Sequence, residues 1–217
     1  MFVGHYAAGL ALKSVEKRAS LGVLFLAVQF VDIVFFPLVL LGVEQLNFIE
    51  HYTPSTHFEL VYMPYTHSLL GALAWSGLAY VLFRWIVVRP ARVAFVVALA
   101  VFSHWLLDLL VHTPDLPLWS DASTKLGLGL WNHPVLTYLL EAGLLLAALW
   151  LYLRATTAVS ALGRYGMGVF VAVMLAINYL NLFGPMQGDS KIALSISALA
   201  SYFLFAAVGF WLDRKRT

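Results

Sequence analysis

His104, Asp108 and His112 are spaced four and four residues apart, and every residue between them is apolar. On a helix this spacing makes one stripe. His133, Thr137 and Glu141 repeat the spacing further along, while Asp32, His67 and the early His5 stand in or beside other apolar runs. Histidine with carboxylate and no cysteine is the ligand set of a catalytic divalent metal, most readily zinc. A structural zinc site usually recruits thiolates, and this chain has none. His67, His104, Asp108 and Asp32 are the candidate first set. His112, His133, Glu141 and His5 are candidates for a second metal, for groups supporting the first, or for a general base. Glu141 or His112 is the candidate proton-transfer group.

The elements that carry these residues are apolar and long. Of 217 residues, 62% are hydrophobic and 11% charged, and mean hydropathy is +0.86. A soluble domain is about 25% charged, so most of this surface must meet something other than water. Six runs are long enough to cross a bilayer, at about 21–43, 64–85, 92–112, 132–153, 166–183 and 192–212. In hydrocarbon they must be helices, because the backbone has to satisfy itself. The predicted fold is all-α, a single integral-membrane domain over residues 1–217. Residues 1–12 are either a re-entrant helix or an interfacial amphipathic one. Basic residues follow the first short apolar stretch, the reverse of a secretory signal, so this segment is read as retained.

Lys13, Lys17, Arg18, Arg84, Arg89, Arg92, Arg154, Arg164, Arg214, Lys215 and Arg216 fall on one side, with Lys125 and Lys191 on the other. The positive-inside rule makes the first side cytoplasmic, with both termini there. The longer outer loops, 44–63 and 113–131, carry Phe48, Tyr52, Phe58, Tyr62, Trp119 and Trp131 and suggest a partly ordered lid. Their histidines, His51 and His57, are expected to be solvated. The net charge of +2 is dispersed in short clusters with no basic stripe, so nucleic acid is not an expected partner.

Ionisable residues inside spans are rare and mark function by default. Measured from the basic anchor of each span, Asp32, His67, His104, Asp108 and Glu141 lie roughly 18–25 Å up, in one layer of the outer half. His112 and His133 form a second layer at about 30 Å, and His5 falls lower, at about 12 Å above Lys13. Asn178 and Asn181, in the fifth span, are expected to be interhelical hydrogen-bond glue.

The series Gly4-His5, Asp32, Thr66-His67-Ser68 and Ser103-His104-x-x-x-Asp108 resembles the YdjM-like family of bacterial inner-membrane, predicted metal-dependent hydrolases. That family is distantly similar to zinc-dependent phospholipase C. The resemblance covers about the first half of the chain and implies His5, Asp32, His67, His104 and Asp108 as metal ligands. Two features differ from the pattern and bear on a second metal. Asp32 is a lone carboxylate in Val31-Asp32-Ile33-Val34, and His133 and Glu141 stand eight apart in place of a His-x-x-x-Glu pair.

These readings lead to a membrane-embedded metal-dependent hydrolase with one divalent ion, or two. It would lie in the bacterial cytoplasmic membrane as a multi-pass protein and act from the extracytoplasmic side on a lipid ester or phosphoester. Membrane lipids and a lipid-like substrate are its expected partners; the sequence leaves the oligomeric state open. The alternative is a proton-coupled transporter or ion-conducting protein that uses the same buried cluster. No His-Glu-x-x-His, Gly-x-Ser-x-Gly or phosphate-binding glycine loop occurs, which removes zinc protease, serine hydrolase and nucleotide-driven readings.

Overall fold

A computed structural model describes residues 1–186 and 188–217. Among them are eight α-helices: α1 (Val3–Val15), α2 (Leu21–Val28), α3 (Phe30–Leu40), α4 (Leu69–Val81), α5 (Ala91–Val111), α6 (Pro134–Ala155), α7 (Ala161–Phe183) and α8 (Lys191–Asp213). Five helical segments are long and apolar enough to cross a membrane, and the bent pair α2–α3 makes a sixth candidate. The chain is an all-α, multi-pass membrane bundle, as its composition requires. Leu70, Leu73 and Leu78 on α4, and Val169 and Val173 on α7, present apolar side chains outward, the surface that hydrocarbon accepts. α5 is the most enclosed of the long helices, which puts its polar stripe inside the bundle.

The helix starts follow local chemistry. Ser68, Ser160 and Ser190 each accept a hydrogen bond from a first-turn amide of α4, α7 and α8 respectively. Pro134 opens α6, where its missing N–H costs nothing. The first span is not continuous. Gln29 (φ −103°, ψ 4°) leaves the helical region, and α2 and α3 meet at a bend of 48°. A helix end frees its last carbonyls from the ladder, and the Val28 carbonyl freed here serves the site described below.

α1 is neither a span nor an interfacial helix; it is buried in the bundle. Its small residues allow a close approach: a Cβ on Gly4 would meet Glu141 Cγ at 3.4 Å, and one on Gly9 would meet the Phe25 ring at 2.8 Å. At its far end Lys13 is only 8% exposed. Its ammonium donates to the Lys17 and Ala19 carbonyls and pairs with Asp213 at 2.8 Å. Lys13 is thus not a boundary marker, and a depth ruler that starts from it places His5 too low. Glu16 pairs with Arg18 at 2.8 Å and with Arg92 at 3.2 Å, tying the α1–α2 turn to the start of α5. Hydrogen bonding from Arg18, helped by the charge of Arg92 and opposed by burial, holds the Glu16 carboxyl down at about 2.

The outer loops are ordered. β1 (Gln45–Thr53) pairs antiparallel with β2 (Thr56–Tyr62), and the short β3 (Leu116–Pro117) pairs with β4 (Lys125–Leu126). Leu46, Leu60 and Leu116 turn inward and pack with Phe35, Phe36, Met63 and Tyr202, so the hairpin is fixed to α3 and α8. Met1 and Thr217 lie in different places: Met1 is buried against Asp108, while Thr217 is hydrogen-bonded to Thr157 just beyond α6. The start of the chain therefore sits in the layer of the polar cluster, not with the basic anchors.

Two outcomes test this packing. A Cβ on Gly22 would meet Phe210 Cβ at 2.7 Å and the Ala206 carbonyl at 2.9 Å. Gly22→Leu should therefore cost about 1–3 kcal/mol, read as a lower melting midpoint in detergent. Because the Glu16 carboxyl is depressed, its contribution is complete above its ordinary range near 4.5 and is lost as pH falls toward about 2. The wild-type midpoint should drop more steeply over that window than that of Glu16→Gln.

Candidate metal centre

α5 places His104 and Asp108 one turn apart on its inner face, both about 1% exposed. Asp108 is the hub. Its Oδ2 lies 3.0 Å from His104 Nε2 and 3.9 Å from His67 Nε2. Its Oδ1 lies 2.6 Å from the Met1 amine, 3.1 Å from His5 Nε2 and 3.8 Å from His112 Nε2. Asp32, from the start of α3, brings Oδ1 to 3.3 Å from His67 Nε2 and 3.6 Å from His104 Nε2. The layer read from the sequence is real for these residues, and His5 joins it, its ring stacked on His104 at 3.9 Å.

Which nitrogen faces the centre is fixed from outside. His104 Nδ1 lies 2.7 Å from the Val28 carbonyl, which can only accept, so Nδ1 carries a proton and Nε2 is turned inward. His67 is held through a relay. Glu44 accepts from the Thr66 hydroxyl at 2.6 Å, which leaves that oxygen to accept from His67 Nδ1 at 2.8 Å. His112 Nδ1 donates to Asp115 at 2.8 Å, and the ring rests on Trp131 at 4.1 Å. Three imidazoles thus aim Nε2 toward the two carboxylates, with their backs hydrogen-bonded as in metal-ligating histidines. Trp105 Nε1 donates to the His67 carbonyl at 3.0 Å and fixes that turn against α5.

The inner atoms lack partners of their own. Among the described residues, His104 Nε2 and both His5 nitrogens make no well-aligned hydrogen bond, although oxygens lie within about 3 Å. Lone pairs of nitrogen and oxygen would otherwise face one another in a buried site, where repulsion is weakly screened. A cation removes that conflict. The four nitrogen–oxygen distances among His67 Nε2, His104 Nε2, Asp32 Oδ1 and Asp108 Oδ2 run from 3.0 to 3.9 Å. A tetrahedron with metal–ligand bonds of about 2.0–2.2 Å has edges of about 3.3–3.6 Å. Those four contacts bracket such edges, and Asp32, His67 and His104 offer ligand atoms mutually within 4.8 Å. A second grouping within ligand reach, His5, His104 and Asp108, shares two of these four residues.

Glu141 is brought to the same place in a different attitude. Its Oε2 accepts from the Phe2 amide at 3.1 Å and the Gly4 amide at 2.9 Å, so a side chain of α6 caps α1. His133 is a correction to its assignment as a ligand or supporting group: it is exposed, in non-helical backbone (φ −131°, ψ 77°) just before α6. Sequence reasoning missed Glu44, Asp115, Tyr202 and the Met1 amine. Tyr202, on α8, donates to Asp32 Oδ2 at 2.9 Å. Asp115 stands three residues after His112 but beyond the end of α5, and the other three stand at no telling spacing from the residues they serve.

A cavity of about 630 Å³ runs outward from the cluster. Asp32, His67, Asp108, His112 and Glu141 line its inner end, and Phe35, Phe36, Leu46, Phe48 and Leu60 form an apolar wall. Its volume is typical of pockets that enclose a small ligand. The expected lid is thus a roof: hairpin residues share the cavity wall with helices α3, α7 and α8. His57 lines the cavity as well, whereas His51 is exposed, as expected of it.

The capping geometry gives a direct test. Glu141→Gln keeps an oxygen acceptor for the two amides, whereas Glu141→Leu strands them in a buried site. The leucine variant should lose about 1–3 kcal/mol, and the glutamine variant should stay near wild type, both read from melting midpoints in detergent. Comparison of the chain with protein-family models, with curated proteins and with solved structures finds no match.

Proposed function

We propose that this protein is a membrane-embedded, metal-dependent hydrolase that acts on a lipid ester or phosphoester. The observation that carries the reading is the convergence of Asp32, His67 and His104 ligand atoms within 4.8 Å of one another, with Asp108 Oδ2 beside both imidazoles and His104 Nε2 left without a hydrogen-bond partner. A mixed nitrogen and oxygen set of this kind suits zinc or a neighbouring transition ion. Such an ion, when bound, supplies a Lewis acid and lowers the pKa of its water toward neutrality. The resemblance to the YdjM-like family rests on the same residues.

The protein's own groups divide the remaining work. Val28, Thr66 with Glu44, and Tyr202 orient the ligands His104, His67 and Asp32. His5 stacks on His104 and faces the second oxygen of Asp108, where it restrains both. His112 is the better proton carrier of the two candidates. It lines the cavity with its Nδ1 proton held by Asp115, while one oxygen of Glu141 is committed to capping α1. The apolar cavity wall supports an acyl-bearing substrate. The site is taken to open on the extracytoplasmic face of a bacterial inner membrane, because the basic anchors lie at the other ends of the spans. A proton-relay role would need a polar path to those anchors, and Leu10, Leu24, Val97 and Leu149 pack that half of the bundle.

Protein purified in detergent without chelator should carry about one equivalent of a transition metal by mass spectrometry. His104→Ala/Asp108→Ala should carry almost none, and His133→Ala should match wild type. Wild-type protein that neither arrives with metal nor takes up added zinc would overturn the proposal.

A further inference from the structure

The last two turns of α7 hold a polar group that nothing in the fold explains. Asn178 is 1% exposed, and among the described residues neither its carboxamide oxygen nor its nitrogen has a hydrogen-bond partner. It is therefore not the interhelical glue expected of an asparagine within a span, which needs a donor or acceptor on a facing helix. An unpaired carboxamide away from water is costly, because the hydrogen bonds it made to water are not replaced. Residues that carry such a cost are commonly paired in some working state of the protein. Asn178 borders the same cavity that Asp32, His67 and Asp108 line, with its carboxamide nearly covered by neighbouring groups, so a ligand would meet it only on a small displacement of that cover, and Asn181 borders the cavity one turn further along α7.

A carboxamide offers two donors and an acceptor side by side, so its best complement is a group that both donates and accepts. A hydroxyl does this; a carboxylate or phosphate oxygen would leave the amide oxygen facing negative charge. No lysine or arginine side chain is among the described residues that line the cavity, so beyond the metal ligands it has no fixed cation for an anionic headgroup. The apolar wall of Phe35, Phe36, Leu46, Phe48 and Leu60 accounts for the rest of the space, and about 630 Å³ suits one small amphiphile.

We infer that Asn178 is the specificity-determining residue of a subsite for an uncharged, hydroxyl-bearing headgroup on a single-chain amphiphile. This rests on the hydrolase reading for its role in turnover. The binding itself does not depend on that reading.

Native mass spectrometry of the detergent-purified protein reports bound metal and bound lipid in one spectrum, with 1-monooleoylglycerol, oleoyl lysophosphatidic acid and oleic acid as probes. Wild type should bind monooleoylglycerol roughly tenfold more tightly than either anionic probe. Asn178→Leu should lose most of that preference, and Asn178→Ser, which keeps a hydroxyl, should recover part of it, with metal content equal in all three proteins. Equal monooleoylglycerol binding by wild type and Asn178→Leu would overturn the inference, since water alone would then satisfy the amide. Tighter binding of lysophosphatidic acid would overturn it as well. A wild-type protein without metal that still discriminates through Asn178 would sink the hydrolase reading and leave the subsite standing.

Discussion

A carboxylate buried at hydrocarbon depth has to be compensated, and the arrangement around Asp108 is organised by that requirement. The cost of an isolated charge in a low-dielectric interior is far larger than the net stability of a protein this size. Asp108 meets it with imidazoles from three separate parts of the chain: α1, the turn before α4, and α5 itself. Each brings a nitrogen to one of its two oxygens. Several features that look like local irregularities serve this one demand.

The broken first span is the clearest case. A continuous helix through Gln29 would keep the Val28 carbonyl in its own ladder, and His104 would lose the acceptor that turns Nε2 inward. The same bend delivers Asp32 to the cluster from the first turn of α3. The buried α1 follows the same logic: Gly4 lets its backbone reach Glu141, and the next residue is His5. At the opposite end Lys13, Asp213 and Tyr152 lock the helix in place with a second small polar network. The outer hairpin is joined to this system by Glu44, whose carboxylate holds the Tyr65–Thr66 backbone and, through Thr66, the His67 ring.

Much of this was legible from spacing and depth, and the limits were geometric. The third expected span, 92–112, and the observed α5 differ by one residue at each end, because an uninterrupted apolar run leaves the backbone no other choice. The shared layer of Asp32, His67, His104 and Asp108 could be read because rise per residue is nearly constant. The end of a helix is harder to read, and His133 shows it: α6 begins only at Pro134, so His133 lies in non-helical backbone before the helix and off its inner face. The place of α1 could not be read, because the partner that permits a buried Lys13 is Asp213, two hundred residues later. Nor could the hairpin, whose inward Leu46 and Leu60 are scattered among polar residues and acquire meaning only against α3 and α8.

The docking of α1 has a consequence for how the protein is made. α1 precedes the other helices in the sequence, yet the two amides at its start are capped by Glu141 and its deeper end is pinned by Asp213. Until α6 has been inserted it has no cap, and until α8 has been inserted Lys13 has no counter-charge. α1 can therefore dock only once α6 and α8 are in place. Asp32, His67, His104 and Asp108 all precede α6 in the sequence, whereas the groups that hold His5 beside them lie in α6 and α8, so His5 is the last of the cluster to be fixed.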